Sequence, residues 1–158
     1  MTLAYVGLGA NIEPHRHLKL AFEELGQVPE TRVVRTSSLY RSAPLGYLEQ
    51  PDFLNAVAEL DTGLNPEALL DHLQEIENRH GRERPFPNAP RTLDLDLLMH
   101  GDSVMQTPRL TLPHPRMHER AFVLEPLTEI APAAVIPGRG PASALRIASA
   151  DQKVERIH

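Results

Sequence analysis

Asp94 and Asp96 lie two apart in the run RTLDLDLLMHG (residues 91–101), alternating with Leu93, Leu95 and Leu97. Such alternation predicts a strand with one apolar face and one acidic face. Strands are poor in Asp, and like charges on one face repel each other, so the pair needs a reason to be there. At a rise of about 3.3–3.4 Å per residue the two α-carbons stand roughly 7 Å apart on the same side. Carboxylates at that spacing can converge on hard cations, because Mg²⁺ accepts one or two carboxylates and keeps other positions for water and phosphate. Two-metal sites hold their ions about 3.5–4 Å apart, a separation that such a pair can bridge. A D-x-D by itself is short and common, and a solvated strand face is the plainer reading.

The neighbours favour chemistry. Arg82, Arg84 and Arg91 bracket the proline-rich segment RERPFPNAP (82–90), Arg79 precedes it, and Arg109, Arg116 and Arg120 follow the acids. Guanidinium forks bind phosphate bidentately and can neutralise charge that develops during transfer. Two Mg²⁺ and two Asp sum to about +2 against roughly −4 on a nucleoside triphosphate, which leaves charge for arginines to meet. Taken singly, each arginine also reads as a solvated surface residue. Phe53 and Asn55 would point to the same side of an extended segment, a ring to stack on beside an amide to read an edge. That pairing suits a flat heterocycle, and Phe122 offers a second ring, although from spacing alone such rings more often belong to a core.

Three patterns are set aside. GLGAN (7–11) would need Gly at 12 for a dinucleotide fingerprint, and Ile12 stands there; no G-K-[ST] exists either. His114 and His118 are spaced like a helical zinc pair, but Pro115 lies between them and no H-E-x-x-H is present. HRH (15–17) reads as a solvated helix start.

The elements that must position these residues follow from periodicity. LAYVGLG (3–9) reads as a strand ending in a glycine turn, HRHLKLAFEELG (15–26) as a helix stopped at Gly26, and TRVVRTSSLYRS (31–42) as one long strand. NAVAELDT (55–62) can pair with it across a loop at 43–53. Asn65 as cap, Pro66 at the first helical position and Glu67 in the first turn predict a helix ended by Gly81. Prolines 85, 87 and 90 exclude regular structure before the acidic strand. A Gly101-Asp102 turn, a short strand near Val104, a mostly helical stretch from Met117 to Ile130 interrupted by Pro126, a further short helix and a last strand complete the chain. Strand–helix–strand–strand–helix–strand is the order of a ferredoxin-like α+β fold, an antiparallel sheet with helices packed on it in a three-layer α/β/α sandwich.

At 158 residues the chain reads as one domain, 1–158, with a core of its own. The absence of cysteine excludes disulfides and thiolate metal sites and fits a reducing compartment. No basic leader and no apolar run of about 18 residues is visible, which predicts a cytoplasmic protein with no membrane partner. A formal net charge of −5 argues against a nucleic-acid partner, and local arginine clusters in an acidic chain suit a small anionic ligand.

YVGLGAN, SSLYRSAPLG, QPDFLNAV, Q-E-I-E at 74–77, GRER, PRTLDLDLL, RLTLPHPRM and RAFVLEPLTEIAP occur in that order. With these blocks the sequence resembles the 6-hydroxymethyl-7,8-dihydropterin pyrophosphokinase family over nearly its whole length, PRTLDLDLL being the most specific. The resemblance implies a ferredoxin-like fold and Mg²⁺-dependent transfer of pyrophosphate from ATP to the pterin hydroxymethyl group, releasing AMP, in tetrahydrofolate biosynthesis. It implies that Asp94 and Asp96 hold two Mg²⁺ ions, that Arg82 and Arg91 assist transfer and clamp phosphate, and that Arg84 is a loop phosphate contact. Gln74, Glu77, Leu97, Arg109, Thr111, His114 and Arg120 match positions around ATP. Phe53 and Phe122 match the two rings that stack on the pterin, Asn55 the reader of its edge, and Ser42, Ala43 and Leu45 its pocket wall. Segments 43–53 and 82–90 would be lids, and a monomer is the family's default. The chain departs from the pattern at Ala10, where Ser is usual, and at Phe53, where Tyr is common. It departs again in PFPNAP, where some members carry a Trp before the Pro-Arg pair, and at Pro115, an aromatic in some members. Two rivals remain from the residues alone: another Mg²⁺-dependent phosphoryl or nucleotidyl transferase with a different acceptor, and a ligand-binding module that catalyses nothing.

Overall fold

The computed structural model describes residues 1–44, 46, 48–81 and 92–157. The first strand, β1 (Thr2–Ala10), runs straight through Gly7 and Gly9, so GLG is strand rather than turn. Helix α1 (Pro14–Leu25) follows, with Gly26 in ordinary right-handed geometry at its end. The segment expected as one long strand is two, β2 (Thr31–Thr36) and β3 (Tyr40–Ser42). Side chains break the ladder between them: the Ser37 hydroxyl accepts the Val57 N–H (2.9 Å), and the Ser38 N–H is taken by the Glu129 carboxylate (3.0 Å).

Next come β4 (Phe53–Thr62), α2 (Pro66–Arg79) and the acidic strand β5 (Asp94–His100). Helix α2 starts as the sequence predicts. The Asn65 side chain accepts the Ala68 N–H at 2.9 Å, Pro66 occupies the first turn, and Gly81 follows the last residues at φ +72°. Two short hairpins, β6 (Met105–Gln106) with β7 (Thr111–Leu112) and β8 (Val135–Ile136) with β9 (Gly140–Pro141), flank α3 (Ala121–Ile130) in sequence. Helix α4 (Ala142–Ala148) and β10 (Val154–Arg156) complete the described residues.

The helical stretch expected at 117–130 breaks at Arg120 and not at Pro126. A 3₁₀ turn covers Met117–Glu119, Arg120 is extended (φ −114°, ψ 111°), and α3 then passes through Pro126. Pro126, one turn into α3, has no N–H for the Phe122 carbonyl, yet the helix continues to Ile130.

The main sheet has the order β10–β3–β4–β1–β5, with β2 also beside β4, and every pair is antiparallel. With β1 between β4 and β5, this is the ferredoxin-like arrangement. One face is built by Ala4, Val6, Leu8 and Ala10 of β1 against Leu18, Ala21 and Leu25 of α1 and Leu69, Leu73 and Ile76 of α2. The other packs Val57, Leu98 and Met99 against Met117, Val123, Leu124, Leu127 and Ala142. Helices thus cover both faces, and each fully buried leucine contributes about 1.5–3 kcal/mol. Among the described residues no helix is long and apolar enough to cross a membrane.

Candidate active site

Strand register makes the cavity. Gly9 of β1 pairs with Asn55 of β4 on one side and Asp94 of β5 on the other; Gly7 pairs with Val57 and Asp96. Side chains alternate along strands, so Phe53, Asn55 and Val57, Gly7 and Gly9, and Asp94 and Asp96 share the face that α3 covers. Leu93, Leu95 and Leu97 turn to the α1/α2 core, as the alternation predicts. The central strand offers no side chain between the acids and the β4 wall, and a cleft open to solvent results. Ser42, Ala43, Phe53, Asn55, Asp94, Asp96, Arg120 and Phe122 all line it.

Asn55 is buried and fixed from behind. Its amide nitrogen donates to the Ser42 hydroxyl (2.7 Å) and to the Tyr40 carbonyl (3.4 Å). Both N–H groups are thereby committed, and Oδ1 is the edge turned towards Gly9, where a Cβ would lie 3.4 Å from it. The site therefore presents an acceptor at this point. Tyr40 is itself held by its hydroxyl, which donates to Glu129 (2.8 Å); burial and that carboxylate push the phenol upward and keep it protonated.

The acid strand lies at the edge of the sheet, and its outer edge is covered by two residues already singled out. The buried Glu77 carboxylate of α2 accepts the Leu95 N–H at 2.8 Å, midway between the acids. The His114 N–H donates to the Leu98 carbonyl at 2.8 Å. These bonds satisfy an edge that would otherwise be open to pairing and fix where Asp94 and Asp96 point. The His114 ring is pushed down to about 4, chiefly by burial and then by the Arg120 and Arg116 guanidinium groups, with Asp94 acting in the opposite sense. It is neutral near pH 7, and its Nδ1 accepts the Arg116 N–H (3.2 Å), which leaves the proton on Nε2. Arg120 lies with its guanidinium carbon 5.4 Å from the centre of the Phe122 ring, a cation–π contact at the cavity wall.

The other expected residues are not in this cleft. Arg109 pairs with Asp71 and donates to Gln74 (3.2 Å) on the outer side of α2, Thr111 is in β7, and Leu97 is buried in the α1/α2 core. Leu45, Arg82, Arg84 and Arg91 lie outside the described residues, as does the expected lid at 82–90. Of HRH, His15 and Arg16 are exposed as expected, but His17 turns inward, its Nδ1 2.7 Å from Nδ1 of His80, whose other nitrogen faces Glu24.

Sequence reasoning missed Gly7, Gly9, Tyr40 and Val123. The glycines carried a usable signal: two of them at alternate positions in an apolar strand leave one face bare.

The profile of the 7,8-dihydro-6-hydroxymethylpterin-pyrophosphokinase (HPPK) family matches residues 5–132. The chain belongs to that family. The 2-amino-4-hydroxy-6-hydroxymethyldihydropteridine pyrophosphokinase of Haemophilus influenzae is 45% identical over 159 residues, covering 100% of this chain and 99% of its own. The protein of the same name from Pseudomonas aeruginosa is 46% identical over 154 residues, covering 97% and 95%. Among solved structures, wild-type Plasmodium falciparum HPPK-DHPS with pteroate matches at a TM-score of 0.74 and 13% identity. That match covers 93% of this chain but 42% of the Plasmodium one, so this chain spans less than half of it and the likeness establishes the fold. Membership of the HPPK family carries pyrophosphokinase activity in folate synthesis as its reaction class.

Proposed function

We propose that the protein transfers pyrophosphate from ATP to the hydroxymethyl group of 6-hydroxymethyl-7,8-dihydropterin, releasing AMP. One observation carries the reading: an acid pair and an aromatic–amide wall face one cleft, with only Gly7 and Gly9 between them. Phe53 and Phe122 stack on the pterin, Asn55 Oδ1 accepts an N–H from its edge, and Ser42 and Ala43 form the wall, a role that the sequence pattern alone extends to Leu45. Arg120 and His114 serve the phosphates; His114 Nε2 donates a hydrogen bond without adding charge. Glu77 braces the acid strand; places around ATP for Gln74, Glu77, Leu97, Arg109 and Thr111 rest on the sequence pattern, since none of them lines the cleft. Roles for Arg82, Arg84 and Arg91 in clamping and transfer rest on the sequence pattern, as do a monomeric state and the cytoplasm.

The donor set fits Mg²⁺: two carboxylates on one strand face, with no softer ligand among the described cavity-lining residues. Asp94 and Asp96 would hold it, two ions being expected, and when bound it neutralises charge on the triphosphate. In the transfer the pterin hydroxyl oxygen bonds to the β-phosphorus, the bond from that phosphorus to the α-phosphate oxygen breaks, and the hydroxyl loses its proton. The protein contributes position and electrostatics, with little covalent work.

Product analysis tests the proposal. Incubation with ATP, Mg²⁺ and the pterin should yield AMP and a pterin diphosphate in equal amounts. ADP with a pterin monophosphate would mean simple phosphoryl transfer, and ligand binding with no product would mean a binding module; either contradicts the proposal.

A further inference from the structure

Gln152 lies beyond the residues matched by the family profile, in the turn between α4 and β10, and its side chain grips the backbone on both sides of Arg120. Its Oε1 accepts the Ala121 N–H (2.9 Å), and its Nε2 donates to the Glu119 carbonyl (2.7 Å). One partner is a donor and the other an acceptor, so the orientation of the amide is unambiguous. Arg120 is the N-cap of α3 and has no acceptor, so it cannot satisfy the first helical N–H itself. Gln152 supplies that cap from a remote segment.

The grip is anchored at both ends. The Gln152 N–H donates to the Ser149 carbonyl at the end of α4 (3.0 Å). Two residues later β10 begins to pair with β3, Val154 opposite Ser42. The tail therefore joins two walls of the cleft, the β3 wall that carries Ser42 and the α3 wall that carries Arg120 and Phe122. Arg120 is the extended residue between the 3₁₀ turn and α3, and its guanidinium lies over the Phe122 ring, so fixing its backbone also fixes what faces that ring.

We infer that Gln152 is a positioning residue for ligand binding, setting Arg120 and Phe122 through a two-point grip on residues 119–121. The inference rests on the pterin reading of the cleft. The test compares wild type, Gln152→Ala, Gln152→Glu and the exposed neighbour variant Lys153→Ala, measuring the pterin Kd, amide exchange at Ala121 and the melting temperature. Gln152→Ala should raise the Kd about fivefold, the factor equivalent to the ~1 kcal/mol of one helix cap, and should accelerate exchange at Ala121. Its melting temperature should fall by no more than about 2–4 °C, the shift that ~1 kcal/mol produces in a chain of this size, too little to unfold the protein at the temperature of the binding assay. Gln152→Glu keeps the acceptor for Ala121 but not the donor to Glu119, and should recover exchange protection and part of the affinity. Lys153→Ala should match wild type. An unchanged Kd in Gln152→Ala, or a loss that merely tracks a fall in melting temperature, would overturn the inference. Wild type that does not bind the pterin would instead overturn the functional reading on which it rests.

Discussion

Replacing Gly9 by Ala should make the protein more stable and less able to bind its substrate. Gly9 lies within β1 in ordinary strand geometry, where glycine is about 0.5–1 kcal/mol less favourable than alanine. A Cβ there would meet Asn55 Oδ1 at 3.4 Å and the Leu54 carbonyl at 4.0 Å, contacts that require no backbone shift. The fold should therefore gain about 0.5–1 kcal/mol, or roughly 1–4 °C for a chain of this size. The same methyl covers the acceptor edge of Asn55 on the cavity floor. A heterocycle that loses its hydrogen bond to Oδ1 forfeits about 1–3 kcal/mol, a rise of roughly 5- to 150-fold in Kd. Thermal unfolding without ligand and calorimetric titration with pterin measure both sides, and ATP titration without pterin should be unaffected. Gly7→Ala adds a methyl to the same floor, its nearest neighbour being the Leu98 side chain at 3.4–3.6 Å, and so separates loss of floor space from loss of the Asn55 acceptor. Unchanged pterin affinity in Gly9→Ala, or a lower melting temperature, would refute the view that the bare strand face is the substrate floor.

Three further outcomes follow from the geometry. Glu77→Ala should destabilise the fold by about 1–3 kcal/mol in denaturant titration, since a buried Leu95 N–H loses its acceptor, and Glu77→Gln by less than half of that; equal stability of all three proteins would contradict the bracing role. His114 has a folded-state value of about 4, below its ordinary 6.5, so the folded protein binds fewer protons than the unfolded chain. Its contribution is fully present above about pH 6.5 and is lost as pH falls towards 4, so His114→Gln should flatten the decline of melting temperature across that window, and an undiminished slope would count against it. Phe53→Ala should weaken pterin binding more than ATP binding, and an equal loss for both would argue against stacking.

Much of the scaffold was legible because its signals are local. Asn65, Pro66 and Gly81 define α2 by their own backbone chemistry, and the Leu–Asp alternation of 93–97 defines both faces of β5. What was not legible depends on partners distant in sequence. The break between β2 and β3 arises because Ser37 and Ser38 find Val57 and Glu129, and the kink at Arg120 is held by Gln152. His17 looked solvated because its partner, His80, is 63 residues away. At the site, the acids and the aromatic wall each had a sequence signature, but the register that sets Gly7 and Gly9 between them did not.

The most direct test of the central claim, that the acidic strand exists for metal-dependent transfer, is pterin-dependent AMP formation by wild type, Asp94→Asn and Asp96→Asn, with ellipticity recorded on each. Wild type should form AMP only when the pterin is present, and both variants should lose turnover while keeping the native spectrum. Normal AMP formation by either natively folded variant would contradict that claim.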